Sequence, residues 1–151
     1  MLHVRRQILL EIVRRLKAGV PAAGERVKAG RSAVLPVGKL PYLLVYGRRE
    51  EAGSISEHGE DDRRVRRSLT VAIEILHADP DDDDGVADQL AVDVEKAMAG
   101  DRTLGGLVED TDGPTTLIDA RHEGETRTGR ARLEFSVQYH TTASRPDQHL
   151  E

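Results

Sequence analysis

Apolar residues recur along this chain at two periods, and the change of period marks its elements. Val4, Ile8, Ile12 and Leu16 fall four apart, with Leu9 and Val13 widening the stripe, which predicts an amphipathic helix. Gly19 and Pro21 are expected to end it, the glycine as a C-terminal cap and the proline as a breaker. From 20 to 41, Pro21, Gly24, Gly30, Pro36, Gly38 and Pro41 exclude a helix and leave only short extended pieces such as Glu25-Arg26-Val27. Tyr42 to Tyr46 is a short apolar, partly aromatic run and predicts a strand. Residues 50–62 then hold two glycines, two serines and six acidic residues, with Ile55 the sole sizeable apolar side chain. Little there offsets ordering entropy, so a long mobile loop is expected to project from the sheet.

The period then falls to two. Val65, Arg67, Leu69, Val71, Ile73 and Ile75 share one side, opposite Arg66, Ser68, Thr70, Ala72, Glu74 and Leu76. This is the pattern of a strand with one buried face. Asp79-Pro80 and the aspartates to Asp84 form a turn whose carboxylates suit a helix N-terminus. A second helix follows on Val86, Leu90 and Val94, with Ala87, Ala91, Ala97 and Met98 alongside and Gly100 as its stop. Leu104 to Gly113 reads as loop and Thr115 to Thr126 as strand. Ala131, Leu133, Phe135, Val137 and Tyr139 alternate with polar residues in a last long strand, hairpin-linked to its predecessor. Strands with one apolar face and just two helices to cover it imply a two-layer α+β domain. The expected sheet is mixed and mostly antiparallel, with both helices on one face.

The 151 residues suffice for one core, expected over 1–142, with a polar, fraying tail at 143–151 and cloning residues at 150–151. No apolar run approaches the roughly 20 residues of a membrane span, and no leader pattern opens the chain. Cysteine is absent, which removes disulfides, thiolate metal sites and a cysteine nucleophile. The net charge of −5 hides an asymmetry: residues 1–75 carry +6 and residues 76–151 carry −11. Such a split suits nucleic-acid contact or oppositely charged faces that meet in an assembly. The overall acidity argues against general DNA binding.

Candidate chemistry is sparse. An EF-hand frame with Gly85 at its glycine position puts Pro80 first and Ala91 last, where ligands are required, so capping is the better use of the aspartates. Gly24 to Ser32 lacks the second glycine and the lysine of a phosphate loop. Six histidines show no zinc spacing, although His77 and His140, both at strand ends, are a pair that the fold can bring close. No nucleophile elbow occurs, and one Phe, three Tyr and no Trp leave few platforms for stacking bases. No catalytic, cofactor or metal residue is therefore assigned, and an enzyme is not expected. Arg63, Arg64, Arg66 and Arg67, at the start of the strongest strand, are the candidate contacts to an acidic partner. A solvated strand end guarded against pairing is the alternative.

Three stretches, in order, resemble the tail terminator proteins of tailed bacteriophages, the minor tail protein U-like or tail completion family. Asp84 to Met98 resembles their second helix, Asp101 to Val108 their short step ending in Leu-Gly-Gly, and Gly129 to Thr142 their closing strand. The likeness extends over about residues 2–142. It implies a ring of subunits, expected to be a hexamer, on the end of the tail tube. The ring would end tube polymerisation and offer the surface for head attachment. The partners implied are further copies of the chain, the tail tube protein and a head-completion or neck protein. DNA would pass through unread, no membrane would be involved, and the gene would be a prophage's. The expected location is the virion tail, and the bacterial cytoplasm during assembly. The alternatives are another neck or connector component, or a small ligand-binding or catalytic α+β domain.

Overall fold

The computed structural model describes residues 1–31, 40–55, 62–78, 85–123 and 126–150, without the side chains of 120–123, 126 and 127. Two helices, α1 (Val4–Gly19) and α2 (Gly85–Ala99), pack on a sheet of β1 (Val27–Ala29), β2 (Tyr42–Ser54), β3 (Arg64–Ala78), β4 (Asp110–Glu123) and β5 (Thr126–Thr142). The strand order is β1-β2-β3-β5-β4. β1 runs parallel to β2 and every other pair is antiparallel, so the sheet is mixed and mostly antiparallel as the pattern predicted.

The two periods explain the layers. Val4, Ile8, Ile12 and Leu16 of α1 and Leu90, Val94 and Met98 of α2 are buried against Leu43, Val45, Leu69, Val71, Ile73, Ile75, Leu133 and Val137 of the sheet. The sheet's other side, here the open face, buries a small cluster of Leu44, Tyr46 and Ala72, with Glu74 beside it. α1 lies over β1 and β2, and α2 over β3 and β5.

Several local expectations change. Gly19 is the last residue of α1 rather than its cap; Val20 caps it, donating its N–H to Leu16 O at 2.9 Å. A Cβ on Gly19 would lie 2.9 Å from Ala97 Cβ, so this glycine lets the helices touch. Residues 50–54, expected in a loop, extend β2 and pair with Val65–Leu69. Backbone pairing holds Glu51–Ser54, whose side chains are exposed. Residues 56–61 of the expected loop, and the aspartates at 79 and 81–84, lie outside the described residues. β4 begins at Asp110, earlier than expected, and a register shift between Asp112 and Thr115 absorbs Gly113-Pro114.

The Asp101–Val108 step is a tight turn whose sequence has a physical reason. Leu104, Gly105 and Gly106 take φ values of 50°, 72° and 90° in succession, a path that favours glycine. Leu104 tolerates it because its side chain is fully buried in the core. Asp101 fastens the turn: Oδ1 accepts from Thr103 N at 2.9 Å and Oδ2 from Gly105 N at 2.9 Å.

The tail, expected to fray, is tied down. Leu150 N donates to His140 O at 2.8 Å, and Pro146 O accepts the first N–H of α1, from Val4, at 3.0 Å. His3 completes that N-terminus, its Nδ1 accepting from Arg5 N at 3.0 Å.

Candidate functional site

The pleat of β3 divides the four candidate arginines. Arg63 lies just before the strand and is exposed; Arg64 and Arg66, also exposed, belong to the open face. Arg66 Nη2 stands 3.9 Å from Glu109 Oε2, with most of its side chain in solvent. Arg67 turns to the helix-covered face, its side chain 13% exposed, and is engaged within the chain.

Its partner is Glu50. Glu50 Oε2 accepts from Arg67 Nη1 at 3.0 Å and from Arg5 Nη1 at 2.7 Å, while Oε1 accepts from the Tyr139 hydroxyl. Arg67 Nε donates to Thr141 Oγ1 at 3.0 Å. Glu50 is 9% exposed, so this carboxylate is compensated by two guanidiniums, one buried and one half-exposed. Burial of Tyr139, reinforced by its bond to Glu50, holds the phenol well above its ordinary range. His3, beside the knot, is shifted the other way: burial first, then Arg5 and Arg67, disfavour its protonation.

Sequence reasoning missed Glu50 for a structural reason. Leu43, Val45 and Gly47 occupy the covered face at odd numbers; an irregularity between Gly47 and Arg49 flips the parity and brings Glu50 to that face opposite Leu69. No composition or period signals the shift. An Arg-Arg-Glu-Glu run reads as solvent-exposed until the pairing is known.

A cleft of about 300 Å³ opens where the end of α2 meets the irregular start of β4. Glu95, Met98, Arg102, Thr111, Pro114 and Phe135 line it, together with Asp112. Arg102 is neutralised by Asp110, with Nε–Oδ1 and Nη2–Oδ2 both at 2.9 Å. Thr111 is buried, and its Oγ1 has no hydrogen-bond partner among the described residues. Gly113, at φ 121°, shapes the rim, since a Cβ there would meet Glu134 O at 2.9 Å.

The histidine pair does not form. His77 is opposite Gly129 and His140 opposite Arg66, at opposite ends of the β3–β5 ladder. His77 is buried and lies over Gly129, where a Cβ would fall 2.4 Å from the ring.

Among the described side chains, the two edges of the sheet differ in the sign of their prominent charges. β1, the short edge, holds exposed Lys28 and is flanked by Arg26 and Arg31. Arg26 spends its donors on backbone carbonyls, those of Pro41 and Ala22. Arg31 stacks its guanidinium 4.7 Å above the Tyr46 ring. β4, the long edge, holds Asp110, Asp112 and Asp119, with Glu95 across the cleft. It also exposes Leu117 and Ile118, at 45% and 52%.

No protein-family profile and no curated protein matches the chain. Solved structures share its path distantly. One, which carries no descriptive name, is 16% identical over 87% of this chain and 95% of its own, with a TM-score of 0.46. Another, from the virion of a native gene transfer agent particle, is 14% identical over 84% of this chain and 90% of its own, with a TM-score of 0.39. No helix among the described residues is long and apolar enough to cross a membrane. The chain is thus an α+β domain of two helices on one face of a five-stranded mixed sheet.

Proposed function

We propose that this chain is a non-enzymatic structural protein of a tailed-phage or prophage particle. In this reading it caps the tail tube as a ring, expected to be a hexamer, and ends tube polymerisation. The exposed side of the ring then forms the head-attachment surface. Its partners are copies of itself, the tail tube protein and a head-completion or neck protein. DNA passes through without sequence-specific contact. It resides in the virion tail, after assembly in the bacterial cytoplasm.

One observation carries the reading. The three stretches that resemble tail terminators are not scattered over the fold. α2, the Leu104-Gly105-Gly106 turn and β5 join one core through Val94, Met98, Leu104, Val108, Phe135, Val137 and Tyr139. The resembling stretches thus all contribute to the core that α1 and the other strands share, in the chain order the resemblance expects. Differently charged edges add support, because a ring of more than two subunits needs a heterologous contact between unlike surfaces.

The test is reconstitution. Tail tube protein from the same genomic neighbourhood, polymerised with and without this chain, should give tubes that stop growing and carry a ring on one end in electron micrographs. Tubes of unchanged length and bare ends would reject the reading.

A further inference from the structure

We infer that the β4 edge with its cleft is the acidic half of a head-to-tail contact whose basic half is the β1 edge of a second copy of this chain. The inference takes its head-to-tail geometry from the ring reading and gives that reading a specific surface.

Four features of the β4 edge point to an occupant. It is an edge strand of 14 residues with one side of its backbone ladder unpaired within the sheet, an arrangement that proteins ordinarily cover or blunt. It exposes Leu117 toward the open face and Ile118 toward the helix side, so neither layer of the domain covers it. Of its described carboxylates, Asp110 is taken up by Arg102, and Asp112, with Glu95 across the cleft, supplies the acidic character that faces outward. The adjoining cleft combines apolar Met98, Pro114 and Phe135 with Glu95, Asp112 and Thr111 Oγ1, which has no partner among the described residues; its one cation, Arg102, is already paired with Asp110. That wall suits an aliphatic stem ending in a cation, because the stem covers apolar surface while the head meets carboxylates.

The β1 edge supplies that chemistry. Lys28 is exposed on a strand of three residues, with Arg26 and Arg31 on either side. Two copies joined β4 to β4 would set aspartates against aspartates, and two joined β1 to β1 would set cations against cations. The unlike pairing alone is complementary, and complementarity of this kind selects the partner and its register.

The absence of native cysteine allows a direct test by oxidative cross-linking. Glu25→Cys replaces the exposed acid at the basic edge, and Thr116→Cys replaces an exposed residue on β4. Mixed full-length variants should form an intercopy disulfide at least about tenfold faster than either variant alone, and high salt should slow the reaction. Adding Glu95→Lys and Asp112→Lys to the β4 variant should abolish the preference. Adding Lys28→Glu and Arg31→Glu to the other variant should restore it. Thermal midpoints within a few degrees of the parent confirm that each variant is folded. Equal rates in the mixed and unmixed samples, or no restoration by the matched reversals, would overturn the contact. The ring reading fails separately. Cross-linked open filaments would reject the ring and keep the contact, whereas closed rings without the mixed-pair preference would reject the contact and keep the ring.

Discussion

The two faces of this sheet come from the same alternating strands yet hold their polar groups in opposite ways. On the covered face, Leu69, Val71, Ile73 and Ile75 are shut from solvent, and charge enters at one end, in the Glu50 knot. On the open face, charged groups form an extended ladder. Arg130 Nε lies 3.4 Å from Glu74 Oε1, and Tyr46 donates to Glu74 Oε2 at 3.4 Å. Arg48 Nη1 donates to Glu134 Oε1 at 2.7 Å. Arg132 Nε lies 3.1 Å from the same oxygen at an angle that makes no hydrogen bond. The difference teaches where stability resides. Apolar burial and a saturated buried carboxylate hold the covered face, while the open face holds part-buried ion pairs, each with at least one partner that reaches solvent. Adjacent Arg66 and Arg67 show it within one dipeptide: one faces solvent, and the other is a structural cation.

The largest effect should come from the covered face. Ile73→Ala removes a fully buried side chain and should cost about 3–4 kcal/mol in urea unfolding, whereas Thr70→Ala, on the open face, should stay within about 0.5 kcal/mol. Equal losses would erase the distinction between the faces. Next is the knot. Glu50→Ala strands Arg67 and the Tyr139 hydroxyl in a buried site and should cost about 2–3 kcal/mol. Arg5 is half-exposed and recovers hydration, which keeps the figure below that of a fully buried triad. Combining Glu50→Ala with Arg67→Ala should cost much less than the sum of the two, because the second change removes the cation stranded by the first.

A smaller loss is expected where two strands approach through a missing side chain. Gly129→Ala pushes a methyl group against the buried His77 ring and should cost about 1–2 kcal/mol by thermal or urea unfolding. On the open face, Glu134→Ala releases Arg48 and Arg132 and should cost no more than about 0.5–1 kcal/mol, a difference that salt should reduce. A loss there as large as that at Glu50 would show that the open face is structurally committed.

The same contrast explains what was legible in the sequence. α1, α2, β3 and β5 announce themselves because their apolar residues keep a strict period and are buried by it, from Ile8 and Leu90 to Ile73 and Leu133. The layer order and the unlike faces follow from those four elements. The end of β2 was illegible because Glu51 to Ser54 is held by pairing with β3, a partner outside its own segment. The tail was illegible because its bonds to His140 and Val4 are made by backbone atoms that every sequence possesses, and its side-chain bonds, Ser144 to Asp62 and Gln7 to the Asp147 carbonyl, reach residues far away in the chain. As for the candidate site, the arginine cluster was visible but its division was not, since only the pairing register tells which arginine meets Glu50. The charge asymmetry was visible along the chain, whereas its resolution into two sheet edges depends on β1 and β4 ending on opposite sides.

The last and smallest expected effect is a pH slope that the covered face creates at its charged end. His3 lies against Arg5 and Arg67, with Glu50 and Asp147 opposing them; burial and the two guanidiniums together lower its proton affinity. The unfolded chain therefore binds a proton at His3 more readily than the folded chain does. Stability must then rise with pH between the lowered folded value and the unfolded value of about 6.5, and must fall as pH drops through that window. Asp101 acts in a separate range: Thr103 and Gly105 hold its carboxyl below the usual carboxylate range, so its contribution is present at neutral pH and is lost only in stronger acid. Urea midpoints measured between about pH 7 and pH 5 isolate the histidine window from the carboxylate one. His3→Asn keeps an acceptor at the helix N-terminus but cannot titrate, and should flatten the midpoint's slope across that window while leaving helix content unchanged. An unchanged slope in His3→Asn would mean that neither burial nor the cations of the knot shift the imidazole. The covered face would then end at Tyr139 rather than at the start of α1.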